Sequence, residues 1–379
     1  MVNNPFVVTG KIPDKYFCDR EVESERLISL LLNGNNVVLF SPRRMGKTGL
    51  IRHCYDDKRI EGEYLTFYVD ILQTSSLREL VFLLGKEIYR RLASRGSKIV
   101  MGFFQVLKSL AGKFGFDPLS GMPSFDIHLG DISNPELTLE EIFTYLDDAD
   151  RRCIVAIDEF QQITSYPEKN VEAILRTHIQ QSSNANFIFS GSRRHILQEM
   201  FLHSARPFYQ SSSFLNLDPI PEEVYVSFMT SCFNEFNKVM PAEVARNIYR
   251  MFQGHTFYVQ RTCNVAFSYT QERQECTQET IDFALDYLLN SYDTLFRANL
   301  SSLSERQKEL LYAIATEGDA KEITSMSFIS RYALPSASSV QSNAKQLLEK
   351  DIITRSDRTY SVNDRFFAFW LRRMLNGEI

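Results

Sequence analysis

The run Val37-Val38-Leu39-Phe40-Ser41-Pro42-Arg43-Arg44-Met45-Gly46-Lys47-Thr48-Gly49-Leu50-Ile51-Arg52 constrains the fold more than any other part of the chain. An apolar tetrad opens into a short loop, and the loop ends in Gly-Lys-Thr where a helical pattern begins. Strand, loop and helix in that order make an anion cradle. Backbone N–H groups and the helix N-terminus supply partial positive charge, and Lys47 adds a full charge for β- and γ-phosphates. Gly46 lets the backbone approach a phosphate closely, and the Thr48 hydroxyl is the type that ligates Mg2+. Ser41, Pro42, Arg43, Arg44, Met45, Gly46, Lys47, Thr48 and Gly49 are therefore the candidate binding residues for ATP or ADP. Ser41 stands where the first glycine of such a loop is usual and Pro42 follows it. The turn is thus expected to form without a residue that takes positive φ cheaply.

A second apolar run, Cys153-Ile154-Val155-Ala156-Ile157, ends in Asp158-Glu159-Phe160-Gln161. A strand apolar throughout belongs inside a parallel sheet, and acids at its C-terminal end sit on the ligand edge. Asp158 is the candidate to organise the metal with Thr48, and Glu159 the candidate to orient or deprotonate the attacking water. A helix cap is the plainer account of the same Asp-Glu pair. A third such run, Asn186-Phe187-Ile188-Phe189, leads into Ser190-Gly191-Ser192-Arg193-Arg194. Ser190, Ser192 or Arg193 is suited to sensing the γ-phosphate, although turn formation explains Ser-Gly-Ser nearly as well. With Tyr64–Asp70 and Phe214–Leu217 the strands number five, which predicts an α/β fold with a parallel five-stranded sheet over residues 1–220.

Before the loop, Asp19 is placed to cap a helix with an apolar face of Val22, Leu27, Leu30 and Leu31 and a stop at Gly34. Leu77–Leu92 has helical periodicity. Residues 93–135 change character, with Gly96, Gly102, Gly112, Gly115, Pro118, Gly121, Pro123 and Pro135 spaced irregularly. They read as a mobile or partner-facing insertion with one strand-like piece, Phe125–Leu129. Pro219 and Pro221 punctuate the domain's end. Residues 221–300 are helical, interrupted at Gly254-His255-Thr256-Phe257-Tyr258, and read as a lid subdomain in which His255 is structural.

Residues 301–379 show three short helices, Ser304–Ala315, Ser325–Tyr332 and Ser336–Lys350, then two strands joined by an Asp357-Arg358 turn. Three helices and a β-wing make a winged helix-turn-helix. Ser339, Gln341, Ser342, Asn343, Lys345 and Gln346 on the third helix suit phosphates and base edges, and Arg355 and Arg358 sit on the wing. Basic and acidic residues nearly balance there, so DNA and a protein partner stay open as its ligand. The closing Phe366-Phe367-Ala368-Phe369-Trp370-Leu371 reads as a packed helix.

The chain of 379 residues is 44% apolar with a formal net charge of −5, enough for real cores and without a global attraction to phosphate backbones. The six cysteines lack metal-ligand spacing, and no apolar run approaches the ~20 residues of a membrane span. A cytosolic protein without a membrane anchor is expected. Oligomerisation stays open.

Taken in order, these motifs resemble the archaeal-type AAA/STAND P-loop ATPases, a group of ASCE architecture also widespread in bacteria, over nearly the whole chain. The resemblance rests on Tyr16-Phe17-Cys18-Asp19-Arg20-Glu21-Val22-Glu23, the phosphate loop, Ile157-Asp158-Glu159-Phe160-Gln161, Ser190-Gly191-Ser192, and Tyr360 to Trp370 after the wing. It implies that Phe17 and Arg20 lie near the adenine. It implies further that Lys47, Glu159, Ser192 and Arg193 serve catalysis and that Thr48 and Asp158 serve the metal. Slow ATP hydrolysis coupled to movement of lid and winged helix is the implied activity. Three positions depart from the family's pattern: Asp19 for a glycine in the adenine box, Ser41 in the loop, and Thr256 for a proline in the lid. Arg193, Arg194 and Arg206 are all candidates for an arginine finger. A scaffold that keeps nucleotide without hydrolysing it is the competing expectation.

Overall fold

The computed structural model describes residues 4–116, 123–356 and 358–377. Pro118 and Gly121 of the expected insertion and Asp357 of the expected wing turn lie outside the described residues. The chain forms two compact units, one of Thr9–Ile220 and one of Pro221–Ile379 joined by the segment up to Val8.

In the first unit the strands β1 (Val37–Phe40), β2 (Tyr64–Asp70), β5 (Arg152–Asp158), β6 (Ala185–Gly191) and β7 (Ser213–Asn216) pair in the order β2-β5-β6-β1-β7, all parallel. A parallel sheet buried on both faces needs apolar residues at successive positions. Val38, Phe40, Val155, Ile157, Phe187 and Phe189 face one layer, while Val37, Leu39, Ile154, Ala156 and Ile188 face the other. The second layer is made by α1 (Glu21–Leu32), α2 (Lys47–Tyr55) and α3 (Lys58–Glu61). The first is made by α4 (Leu77–Ala93), α5 (Ser97–Val106), α6 (Pro135–Asp148), α7 (Val171–Gln181) and α8 (Arg194–Leu202). A short hairpin, β3 (Gly115–Phe116) with β4 (Pro123–Ser124), lies beyond α5.

Three sequence expectations need correction here. Helix α1 starts at Glu21 with Arg20 at the N-cap and no side-chain cap, because Asp19 and Arg20 are both left-handed (φ 56° and 76°) and the chain turns before Asp19 can reach the helix. Its buried face is Leu27, Ile28 and Leu31, whereas Val22 is 78% exposed. Phe125–Leu129 is not a strand. Residues 93–135 hold α5, whose Val100, Phe103 and Phe104 are buried, and Phe125 packs at 5.5 Å on Tyr89. The apolar spacing 100, 103, 104 is helical, and the glycines around it obscure that period. Helix α6, capped by Asn134, goes unread in the sequence for a related reason: Pro135 is a helix N1 residue there, not a loop marker.

The second unit opens with α9 (Glu222–Asn234), α10 (Ala242–Met251), α11 (Thr256–Tyr269) and α12 (Gln278–Ser301). Phe6 is buried against Phe233 and Phe267 in this unit, and Asn4 donates to the Asn264 carbonyl. The winged helix follows as α13 (Glu305–Glu317), β8 (Ala320–Lys321), α14 (Met326–Arg331), α15 (Ala337–Glu349), β9 (Ile353–Ser356) and β10 (Thr359–Val362). Its sheet has three strands in the order β8-β10-β9, one more than the sequence suggests, because two residues are too few to show alternation. Helix α16 (Arg365–Leu375) buries Phe366, Phe367 and Trp370, and the Trp370 indole donates to Asp293 at 2.9 Å.

Phe160, Phe189, Phe201 and Phe208 form an aromatic cluster beneath β6, with centroid separations of 4.5 Å (Phe160–Phe189), 5.2 Å (Phe189–Phe201) and 5.1 Å (Phe201–Phe208). Deleting the central ring leaves a cavity among fixed neighbours. Phe189→Ala is expected to cost about 3–5 kcal/mol in urea denaturation; a loss under about 1 kcal/mol would mean that this layer collapses to refill the space.

Candidate active site

Because all five strands are parallel, Phe40, Asp70, Asp158 and Gly191 end on the same edge of the sheet. The phosphate loop leaves β1 there. Positive φ falls at Arg44 (65°) and Gly46 (90°), and Ser41 is not among the positive-φ residues. Ser41 is buried and donates its Oγ to the Pro42 carbonyl at 2.9 Å, so the first loop position has no need of a glycine. Lys47 is also buried, and its Nζ donates to the same Pro42 carbonyl at 3.3 Å, which arches the side chain back over the loop. Burial holds the Lys47 pKa below 10.5, while Asp158 and Glu159 pull it the other way. Met45 is 1% exposed and belongs to the core beneath the loop; Pro42, Arg43 and Thr48 are half-buried and Gly46 is exposed. An added Cβ on Gly49 would lie 3.5 Å from Ile12 and 3.8 Å from Phe17, ordinary contact distances.

Asp158 is buried at the end of β5 and its two oxygens collect donors from four places. Ser190 Oγ on β6 donates to Oδ1 at 2.6 Å, and the Glu159 N–H donates to the same oxygen at 3.0 Å. Thr48 Oγ1 on α2 lies 3.3 Å from Oδ2, and the Tyr68 hydroxyl on β2 donates to Oδ2 as well. Tyr68 and Thr48 are themselves 3.1 Å apart. Burial and then the Asp158 carboxylate push the Tyr68 pKa well up, so it remains a donor. The loop threonine and the strand aspartate, distant in sequence, are thus joined directly.

Glu159 is left-handed (φ 57°), and a single carboxylate oxygen, Oε2, accepts from Gln161 Nε2 at 2.6 Å, Ser192 Oγ at 2.7 Å and Ser192 N at 3.1 Å. It stands at the N-cap position of the short 3-10 turn Phe160–Ser165 but makes no side-chain cap. Asp70, opposite Asp158 in the β2–β5 register, accepts from the Leu72 N–H; partial burial, then Asp158 and Glu159, hold its pKa above 3.8.

The remaining expected residues are placed as follows. Phe17 stacks on His53 (4.0 Å, 11°) beside α2. Arg20 is 4% exposed and its guanidinium donates to Glu23 at 2.5 Å. The left-handed Asp19 occupies a conformation that glycine takes without steric cost, which is the physical reason a glycine suits that position. Arg193 is half-buried and Arg194 exposed at the end of β6. Arg206 is committed within the chain, its guanidinium paired with Glu172 and Glu199. Tyr68 and Gln161 were not marked as site residues by the sequence; each lies inside an apolar or acidic run whose pattern gives no sign of which side chain turns to the edge.

The sequence matches the family described as "ATPase domain predominantly from Archaea" over residues 17–261 and the family described as "probable winged helix domain" over residues 294–373. No curated protein matches it by sequence. Among solved structures, a Walker-type ATPase of Pyrococcus abyssi is 19% identical, with 97% of this chain and 99% of that one covered and a TM-score of 0.63. The ORC2 protein of Aeropyrum pernix, as ADPNP and ADP complexes, is 15% identical with 99% and 98% covered and a TM-score of 0.61. The ORC1 protein of the same organism, in complex with DNA, is 13% identical with 100% and 98% covered and a TM-score of 0.54. At these identities the likeness is one of fold, and it extends through the whole chain.

The Tyr68 hydroxyl gives a test of the Asp158 arrangement. Tyr68→Phe removes one donor to a buried carboxylate and is expected to lower the stability of the nucleotide-free protein by about 1.5–3 kcal/mol in urea denaturation. A neutral effect would show that Ser190 and Thr48 suffice.

Proposed function

The chain belongs to the family of ATPase domains found predominantly in Archaea, and from that premise we propose that this ATPase is a nucleotide-operated switch of the STAND type that works in the cytosol and reports its state through a winged helix. The observation that carries the reading is the junction of Thr48, Asp158 and Glu159 on one sheet edge beside a buried Lys47.

Hard oxygen donors, one hydroxyl and one carboxylate within 3.3 Å of each other, suit Mg2+, and Thr48 and Asp158 are the residues that would hold it. The ion, when bound, neutralises charge on the β- and γ-phosphates. Loop N–H groups and Lys47 orient the triphosphate. Glu159 takes the proton of the water that attacks the γ-phosphorus as the bond to the bridging oxygen breaks, and ADP and phosphate leave. Ser192, which donates to this base through its hydroxyl and N–H, and Arg193, next in the chain, serve in this reading as the γ-phosphate sensor. Phe17 and Arg20 are assigned to the adenosine end.

Within the helical unit, α11 begins directly after the Gly254 turn, and its Tyr258 packs on Phe366 of α16 (4.9 Å) and reaches the Asn363 carbonyl at 3.5 Å. Phe252, before the turn, also meets Phe366 at 5.5 Å. A shift at the lid turn therefore acts on the segment that closes the winged helix. On that winged helix Gln341, Ser342 and Lys345 are exposed along α15, while Gln346 accepts from Gln307 at 2.6 Å. Arg355 and Arg358 are exposed on the wing, with the Arg355 guanidinium 5.4 Å from the Tyr360 ring, around a hollow of about 380 Å3. The two exposed arginines and the polar face of α15 support DNA as the ligand in this reading, and a protein of similar fold, ORC1 of Aeropyrum pernix, was solved in complex with DNA.

Purified protein with MgATP tests the nucleotide half. Lys47→Ala is expected to abolish binding, and Glu159→Gln to bind ATP normally while turnover falls about 10²–10⁴-fold. A wild type that binds ATP tightly and never turns it over would instead make the chain a nucleotide-held scaffold. For the other half, Arg355→Ala with Arg358→Ala should weaken duplex DNA binding and flatten the slope of log affinity against log salt by about two. Undiminished affinity and slope would point the winged helix toward a protein partner.

A further inference from the structure

Gln161 is 4% exposed and its amide is used on one side only. Nε2 donates to Glu159 Oε2 at 2.6 Å, while Oε1 is buried without a hydrogen-bond partner. An unsatisfied buried amide oxygen is uncommon and persists where the surrounding structure holds the group for another reason. The reason is next door. A Cβ built on Gly191 would lie 1.9 Å from Gln161 Oε1 and 3.0 Å from its Cδ, so the amide occupies space that any other residue at 191 would fill. Gly191 is not among the positive-φ glycines, and its place in Ser190-Gly191-Ser192 is therefore explained by this close approach and not by a turn.

The same oxygen of Glu159 takes both donors of Ser192, so three donors from two elements meet on Oε2. No described residue donates to the other oxygen, Oε1. A left-handed backbone at Glu159 is a conformation that persists only when its surroundings over-determine it, and this grip does so.

We propose that Gln161 is the positioning residue of the hydrolytic base: seated in the cleft left by Gly191, it clamps Oε2 of Glu159 together with Ser192 and so reserves Oε1 for the attacking water. The proposal rests on the assignment of Glu159 as base. It gives the glutamine two residues beyond the acid a task distinct from packing, and it ties the base to the end of β6, where the γ-phosphate is sensed. A displacement of Ser192 moves the base with it.

Steady-state hydrolysis of MgATP by the full-length protein tests this with two variants that disturb the clamp from opposite sides. Gln161→Leu keeps the bulk and removes the donor; Gly191→Ala leaves the donor and evicts it. Each is expected to lower kcat about 10- to 100-fold with KM for MgATP changed less than about threefold, the cost of a misplaced base with binding intact. In a Glu159→Gln background, followed by single turnovers, Gln161→Leu should cost nothing further, since both act through one group. Wild-type kcat in either folded variant, or an equal loss with and without Glu159→Gln, would overturn the clamp. If one variant fails to fold, the other decides. Loss in Glu159→Gln with full activity in Gln161→Leu removes the clamp alone; full activity in Glu159→Gln removes the base assignment itself.

Discussion

A carboxylate buried at the edge of a parallel sheet is the constraint from which the rest of this ATPase unit follows. Taking such a group out of water costs several kcal/mol unless hydrogen-bond donors replace the solvent. Asp158 finds them on β6, on β2, on the loop helix and at the next peptide N–H. Satisfying one side chain thus fixes the relative register of three strands and the seating of α2. The buried Lys47 benefits from the same acids, which offset part of the desolvation that lowers its pKa. The groups that make Asp158 tolerable lie on the same sheet edge as the phosphate loop.

Around that fixed point the edge divides its labour. Glycine at 46 and a left-handed arginine at 44 shape the loop, while Ser41 and Lys47 close it by hydrogen bonds to the Pro42 carbonyl. Glycine at 191 does something different, admitting a neighbouring amide where a turn alone would have been the plainer account. Glu159 is held at one oxygen, and among the described residues none donates to the other. Asp158 is locked by four donors and Glu159 by three on a single oxygen, so both carboxylates are held rigidly at this edge.

In the helical unit the aromatic residues carry the connection. Phe252, Tyr258, Tyr292 and Phe366 meet around the Gly254 turn, so the break in the helical pattern, α12 and α16 share one patch of core. Side chains that large interdigitate at native packing density and hold these segments in one core.

The five strands, their parallel pairing, the phosphate loop, the acid pair and the winged helix were all legible in the order of residues, because apolar runs ending in Gly-Lys-Thr or Asp-Glu are local signals read within ten positions. The strand-like reading of Phe125–Leu129 and the loss of α6 show where local signals mislead: glycine and proline there mark a helix start and close packing as readily as a loop. What the sequence could not decide was which polar residues meet. Tyr68 reaches Asp158 only because β2 lies beside β5, and Ser192 reaches Oε2 of Glu159 only because β6 lies on its other side. Strand order is set by the burial of both sheet faces together, a property of the whole fold, so those contacts exist in the tertiary structure and nowhere in the linear pattern.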